Sequence, residues 1–371
     1  MRAPLPDDPL TNSQLSELLA TAGEDAKPPL SKAYRRASRR ALLWPEEASS
    51  LYHAGRSLTE LPCVGPYLEK AIGKWIESSP TVGSPPDIRE NFLTRTRVRA
   101  ILEKQLSWAS RARGDLQMHT EWSDGSASIQ EMAEAADARG YEYIAITDHS
   151  KGLKIAGGIN EEQLRQQAEE IAAINESLGA AGKTLRSIEV NLNPAGQVDM
   201  EVSALGELDI VLGCFHSSLR KKDDQTDRYL AALRNPAIQI LGHPRGRIYN
   251  FRLGLSADWS RVFAVAAGLD KAVEIDSYPD RQDMSIDLIR LAGKAGCRIS
   301  IGTDSHGPSQ LEFIEFGLAA ALKAQINPER ILNFMSRAKL MEWAAGQRDS
   351  DSGRLASEVL ADLDADSTAP T

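Results

Sequence analysis

Six short runs rich in branched and aromatic residues alternate with stretches of helical periodicity, and this alternation limits the fold more than any other feature of the chain. The runs are "YEYIAIT" (141–147), "LRSIEVNL" (185–192), "LDIVLGCFH" (208–216), "AIQILGH" (237–243), "KAVEIDS" (271–277) and "CRISIGT" (297–303). Between and around them lie "SIQEMAEAADARG", "NEEQLRQQAEEIAAINESLG", "DQTDRYLAALRN", "WSRVFAVAAG" and "MSIDLIRLAGKAG". Strand and helix in repeated alternation predict a parallel β/α architecture. Periodicity does not decide whether the sheet is open or closed.

Five of the six histidines fall at or just past the C-terminal end of such a run. "GDLQMHTEWSDG" supplies Gln117, His119 and Asp124; "AITDHS" supplies Asp148 and His149; "SIEV" supplies Glu189. His216, His243, and the pair Asp304 and His306 come from "GCFHS", "LGHPRGR" and "GTDSHG". In a parallel β/α barrel that end is the active-site face. Residues i and i+2 of an extended segment point to one side, so Gln117 with His119, and Asp304 with His306, each form a two-toothed clamp. A single strand-end histidine is most often a packed core residue. Five, with carboxylates nearby, point to a metal cluster. Imidazole and carboxylate donors without thiolate suit zinc, manganese or iron alike. Cys63, Cys214 and Cys297 lie far apart, which argues against a disulfide framework and a cysteine zinc site.

Charge divides the chain. Residues 1–113 hold 17 Lys+Arg against 13 Asp+Glu, and the rest hold 26 against 39. A basic front end on an acidic body is consistent with two tasks. In the front end, "NSQLSELLATAG" opens a helix with Asn12 or Ser13 as its cap. "LSKAYRRASRRALLW" sets Arg35, Arg36 and Arg39 on a helix, either as a nucleic-acid contact or as an ordinary solvated face. In "SLTELPCVGPYLEKAIGKWIE" a turn separates a helix expected to end near Leu61 from one beginning near Pro66. Gly65 would admit a backbone phosphate to the amides of the second helix. Lys70 and Lys74 follow on that helix, as phosphate contacts or solvated charge.

This segment resembles a helix-hairpin-helix element, a sequence-independent DNA-binding unit. The strand-end residues, in their order, resemble the polymerase and histidinol phosphatase (PHP) domain. "TDHSKGLKIAGGINEEQLRQQAEEI" is most similar to the version found in bacterial family X DNA polymerases. That resemblance implies a distorted (β/α)7, TIM-like barrel over 114–345, and an all-helical helix-hairpin-helix domain over 1–79. A connector with one helix would occupy 80–113, and an acidic tail, expected to be disordered, 346–371. The connector is too short for a polymerase palm, so no polymerase activity is expected.

The resemblance further implies two or three divalent ions. The first would be held by Gln117, His119, Glu189 and Asp304, the second by Glu189, His216 and His243, and the third by Asp124, His149 and His306. The first of these positions is usually histidine in the family, and an amide is the weaker zinc ligand. Phosphoester hydrolysis follows from such a cluster. Arg245, Arg247 and Arg281 are candidates for holding phosphate; Lys151 could meet a phosphodiester backbone, and Asp148 is expected to orient a ligand.

The expected substrate is DNA, trimmed at 3′ ends or at damaged sites. A phosphomonoesterase acting on a small molecule, and a DNA-binding scaffold without catalysis, are the other readings. No apolar run of membrane-spanning length occurs, so a cytoplasmic protein is expected, with no membrane partner.

Overall fold

Seven parallel strands form one sheet in sequential order β1 to β7. They are β1 (Gly114–Asp115), β2 (Tyr143–Ile146), β3 (Thr184–Asn191), β4 (Ile210–Cys214), β5 (Ile240–Leu241), β6 (Ala272–Asp276) and β7 (Arg298–Gly302). The computed structural model describes residues 8–177 and 183–348. The sheet is a nearly closed (β/α)7 barrel. Each of the six expected runs contains one strand, and β1 precedes them.

The seam is closed by residues beyond the strands themselves. Met118 pairs in parallel with Ser305. The His119 amide donates to Ser305 O at 2.8 Å and the Asp304 amide donates to Gln117 O at 3.1 Å. Barrel closure therefore falls on the two segments that carry the i, i+2 clamps. The β2–β3 ladder likewise runs on to pair His149 with Glu189.

Alternation along the strands separates two apolar layers. Leu185, Ile210, Leu212, Cys214, Ile240 and Ala272 form one buried cluster with Leu116 and Tyr143. Ile188, Val190, Val211, Leu241 and Val273 belong to the other, with the surrounding helices. The helices start and stop on ordinary signals. Ser128 and Glu131 form a capping box at Ile129–Ala138, and Gly296, at φ +85°, ends Ile286–Ala295 in the left-handed conformation that glycine permits.

Residues 8–78 have a hydrophobic core of their own, built from Leu15, Leu19, Trp44, Leu51, Leu58, Leu68 and Ile72 among others. The helices are α1 (Asn12–Asp25), α2 (Leu30–Ala41), α3 (Ala48–His53) and α4 (Pro66–Ser78). Thr11, not Asn12 or Ser13, caps α1, in a capping box with Gln14. The hairpin also differs from expectation. Its first helix ends at His53 instead of near Leu61, because Gly55 turns the chain at φ +79°. A 3-10 turn, Leu58–Glu60, takes up the interval. Pro66 opens α4 as expected.

The connector is more than a linker. Its helix α5 (Arg95–Leu102) is followed by a 3-10 turn and a further short helix, Leu106–Ala109, where one helix was expected. Leu93, Val98, Leu102 and Trp108 lie in the barrel's outer apolar layer. The Trp108 indole donates to Leu318 O at 2.9 Å.

Buried polar contacts fix the helical unit to loops at the ligand-bearing end. The Tyr249 hydroxyl lies 2.8 Å from Ser16 Oγ and 2.9 Å from Ser38 Oγ. Arg89 is buried, forks onto both Glu17 oxygens at 2.8 Å, and reaches Asn250 Oδ1 at 2.9 Å. Among the described residues no helix is long and apolar enough to cross a membrane. The expected tail lies, from residue 349 on, outside the described residues.

Candidate metal centre

The barrel brings together all nine residues expected as ligands. They gather around two carboxylates. Glu189, at the end of β3 and fully buried, holds His216 Nε2 at 2.8 Å and His243 Nε2 at 2.7 Å on Oε1. Its Oε2 takes the Gln117 amide nitrogen at 3.0 Å, with His119 Nε2 at 3.3 Å and His149 Nδ1 at 3.6 Å. At the rim, Asp124 Oδ1 faces His306 Nε2 at 3.4 Å, His149 Nε2 at 3.6 Å and His119 Nδ1 at 4.0 Å. Asp304 Oδ1 joins the two halves through His119 Nε2, 3.0 Å away.

The donors fit metal ions. Four triads have ligand atoms within 4.8 Å of one another: His119, His149 and His306; His149, Glu189 and His216; Glu189, Cys214 and His243; and His119, Glu189 and Asp304. Gln117 Oε1, His119 Nδ1 and His149 Nδ1 are buried without a hydrogen-bond partner, a cost that a coordinated cation would relieve. Two of the residues are held in the left-handed backbone region, Asp304 at φ +51° and His243 at φ +21°. Such conformations cluster at functional sites.

Electrostatics agree with this chemistry. Burial opposes charge on Glu189, but the surrounding imidazoles, His149 and His243 foremost, hold its carboxyl well below the usual range. Burial likewise opposes charge on Asp304, which the Arg281 guanidinium nevertheless keeps ionised. His149 is pushed down to about 3 by burial. Burial would lower His243 too, yet Glu189 lifts it to about 9. Ionised carboxylates and a neutral His149 are ready donors, and ions entering the site would displace the protons that His119 and His243 hold.

Several residues at the site were missed. Cys214 shares the inward face of β4 and lies among Glu189 and His243, so a thiol does enter the cluster that the cysteine spacing had seemed to exclude. Its position two residues before His216 was the available signal. Glu274 and Asp276, the i, i+2 pair of "VEID", are fully buried below the ligands, and burial raises both carboxyls. A Cβ at Gly302 would stand 2.4 Å from Glu274 Oε1 and 2.6 Å from Gln117 Cβ, so glycine is what lets β7 pass this close to β1.

Of the expected phosphate contacts only Arg281 reaches the cluster, with Nη1 2.7 Å from Asp304 Oδ2. Arg247 does not. It is buried, donates from Nη2 to Glu90 O and Asn91 O and from Nε to Arg281 O, each at 3.2 Å, and lies 3.8 Å over the Phe92 ring. It clamps the connector. Arg245 braces its own loop through Leu253 O and Leu255 O. Lys151 lies on an exposed loop and pairs with Glu161 at 2.6 Å. Asp148 is buried and accepts from Thr120 N and Oγ1, Ser123 Oγ and Gln167 Nε2, so it positions the loop between His119 and Asp124.

In the helical unit Arg35, Arg36 and Arg39 are exposed on α2, and Lys70 and Lys74 on α4. Gly65 caps α4 with an extended backbone and open space around it.

The barrel and its strand-end cluster of imidazoles and carboxylates are those of the PHP class of metal-dependent phosphoesterases, with Arg281 standing beside the cluster. Residues 115–276 match the PHP domain, so the chain carries that domain; Asp304 and His306 lie beyond the matched stretch. The chain is 36% identical over 253 residues to the DNA polymerase/3'-5' exonuclease PolX of Bacillus subtilis (strain 168), across 68% of this chain and 44% of that protein. It thus spans less than half the length of this relative. A probable phosphatase of Thermoanaerobacter sp. (strain X514) is 27% identical over 220 residues, which is 56% of this chain and 83% of the other. A solved histidinol phosphate phosphatase of Lactococcus lactis aligns at 17% identity and a TM-score of 0.43, over 58% of this chain and 95% of that one.

Proposed function

We propose that the protein is a nuclease that hydrolyses phosphodiester bonds at DNA ends, as a 3′-end exonuclease or in repair-type end processing. Two or three divalent ions, manganese, zinc or iron, would be held by Gln117, His119, Glu189 and Asp304, by Glu189, His216 and His243, and by Asp124, His149 and His306. When bound there, such ions polarise phosphoryl oxygens and acidify water. The chain's own residues do the rest. Arg281, tethered by Asp304, offers a guanidinium to the phosphate. Asp148 holds the loop bearing His119 and Asp124 in place. No nucleotide transfer is part of this proposal.

The observation that carries DNA over a small phosphomonoester is the mounting of the helical unit. Arg89 and Tyr249 fix it, through buried polar bonds, beside the same end of the barrel as the ligands, an attachment that a small-molecule phosphatase does not require. The exonuclease named among the relatives supports the same reading.

The test is a metal-resupply assay of the purified protein on a labelled single strand, a gapped duplex and a generic phosphomonoester, with His243→Ala as the blank. Shortened DNA that vanishes in the blank is the expected result. Hydrolysis of the monoester alone would establish a small-molecule phosphatase, and inertness of the metal-loaded protein toward all three a binding scaffold.

A further inference from the structure

Between α2 and the barrel lies a cleft of about 450 Å³, with Arg35, Arg36, Arg39 and Arg40 of α2 facing Tyr278 and Asp280 of the barrel. Gly65, Lys70 and Lys74 of the hairpin are not among its walls. We infer that this cleft seats a single-stranded DNA end, with phosphates on the α2 guanidiniums and a base against Tyr278, and leads the strand to the metal centre. The inference rests on the nuclease reading above and adds to it the form of the substrate and the surface that selects it.

Charge is the first argument. The four arginines fall at i, i+1, i+4 and i+5 of one helix, so Arg35 repels Arg39 and Arg36 repels Arg40 across a turn. Asp280 pairs with Arg39 at 3.4 Å and is also attracted to Arg40 and to Arg281, so one carboxylate faces several guanidiniums. Among the described residues Arg35, Arg36 and Arg40 make no ion pair. The dipole of α2 favours Arg39 and Arg40 in its last turn, but it gives no account of Arg35 and Arg36. A polyanion lying along this face would neutralise all four.

The cleft lining supplies the second argument. Beside the guanidiniums the cleft is lined by the half-buried Tyr278 and Leu43, with Pro279 and Phe313 buried behind them, and an aromatic ring next to a row of cations is the pairing that holds unpaired strands. Tyr278 links this lining to the ligand cluster. The Tyr278 ring lies 5.3 Å from Phe313 and 6.4 Å from the His306 ring. The Arg281 guanidinium stands 5.7 Å from the same tyrosine while it holds Asp304. A base on Tyr278 is thus about one nucleotide's spacing from the site's rim.

Depth decides the form of the DNA. His119, Glu189 and Asp304 are at most 1% exposed. Asp124 and His306 reach the rim, at 36% and 24% side-chain exposure. The ligands below them are this deep, and a duplex, with its phosphates on the outside of a wide cylinder, reaches them less readily than an unpaired end. An unpaired end can bend down and deliver its last phosphodiester.

The test uses the whole, metal-loaded protein with Arg36→Glu and Arg40→Glu combined, read on three probes: a fluorescent single-stranded oligonucleotide, a blunt duplex of the same sequence, and bis(p-nitrophenyl) phosphate. The double variant is expected to bind and shorten the single strand at least tenfold more weakly. The slope of log affinity against log salt should shrink by about 1.4, two phosphates at ~0.7 each. Hydrolysis of the small diester should stay at the wild-type rate. Should charge reversal unfold the helical unit, Arg36→Gln with Arg40→Gln removes the same charges and is expected to lose in the same direction, by less. Wild-type binding and trimming by either double variant would overturn the cleft as the strand's seat, and a blunt duplex degraded as fast as the single strand would overturn the unpaired end as substrate. Wild-type protein that hydrolyses the small diester yet shortens no oligonucleotide would overturn the nuclease reading itself.

Discussion

His119 Nε2 lies 3.0 Å from Asp304 Oδ1, and the two residues stand on opposite sides of the seam where the last strand of the barrel returns to the first. A cation held by both ties the barrel shut. Chelation is therefore expected to lower the melting temperature as well as abolish hydrolysis. A ligand present at a hundred times its dissociation constant adds ~2.7 kcal/mol, or on the order of 5–10 °C for a domain of this size. Calorimetry with and without chelator measures it; His119→Ala, which keeps the Glu189, His216 and His243 donors, should show a smaller shift than the wild type.

Gln117 gives its amide nitrogen to Glu189 while its oxygen has no partner. Imidazole is the stronger donor toward zinc. Gln117→His is expected to raise the zinc retained per chain after dialysis against a weak chelator and to slow its loss about tenfold. Equal zinc in the two proteins, read by elemental analysis, would remove position 117 from the ligand set.

Tyr249→Phe removes a hydroxyl that Ser16 and Ser38 share in the contact between the two units. The cost is expected at ~1–3 kcal/mol, because both serines keep polar groups in a buried place. Denaturant titration reads the loss, while hydrolysis of a small diester stays unchanged. Arg89→Met, which strands Glu17, should cost more, about 3–5 kcal/mol.

Lys271 is almost fully buried, and burial lowers its amine to about 7. Asn235 O and Ile238 O accept from it at 2.5 and 2.8 Å, which keeps the cost of its charge below what burial alone implies. Between about 7 and the usual lysine range the unfolded chain binds the proton that the folded chain lacks, so stability rises with pH across that window. Below it both forms are protonated and the dependence vanishes. Lys271→Met should lose that rise between pH 7 and 10, and its two orphaned carbonyls should make it less stable than the wild type at the upper end of that range, where the lysine is neutral. Melting temperatures of the two proteins over that range give the comparison.

Residues legible in the sequence are those whose placement local periodicity dictates. The runs around Glu189 and His216 read as strands because alternation and branching act within the run. The closure of the sheet was not legible, since it is made by backbone bonds between Gln117 and Asp304, far apart in the chain. Arg247 misled for a related reason. Its neighbours in "HPRGR" suggest a phosphate loop, whereas its partners, Glu90, Asn91 and Phe92, come from a segment more than 150 residues away. Cys214 was passed over because its spacing was compared with other cysteines and not with His216. The cleft of α2 is invisible to any local reading, because Arg36 and Tyr278 meet only when the two units dock.

The seating of Leu93, Val98, Leu102 and Trp108 in the barrel's outer layer bears on how such a gene can be cut and recombined. A boundary drawn at Gly114, just before the stretch that matches the PHP domain, is not a boundary of packing. Moved to a new host from that point, the catalytic half would leave behind part of its own apolar shell, the Trp108 bond to Leu318 and the Leu93 amide that Gln282 accepts. A barrel that keeps its whole apolar shell therefore includes the connector from about Leu93 onward.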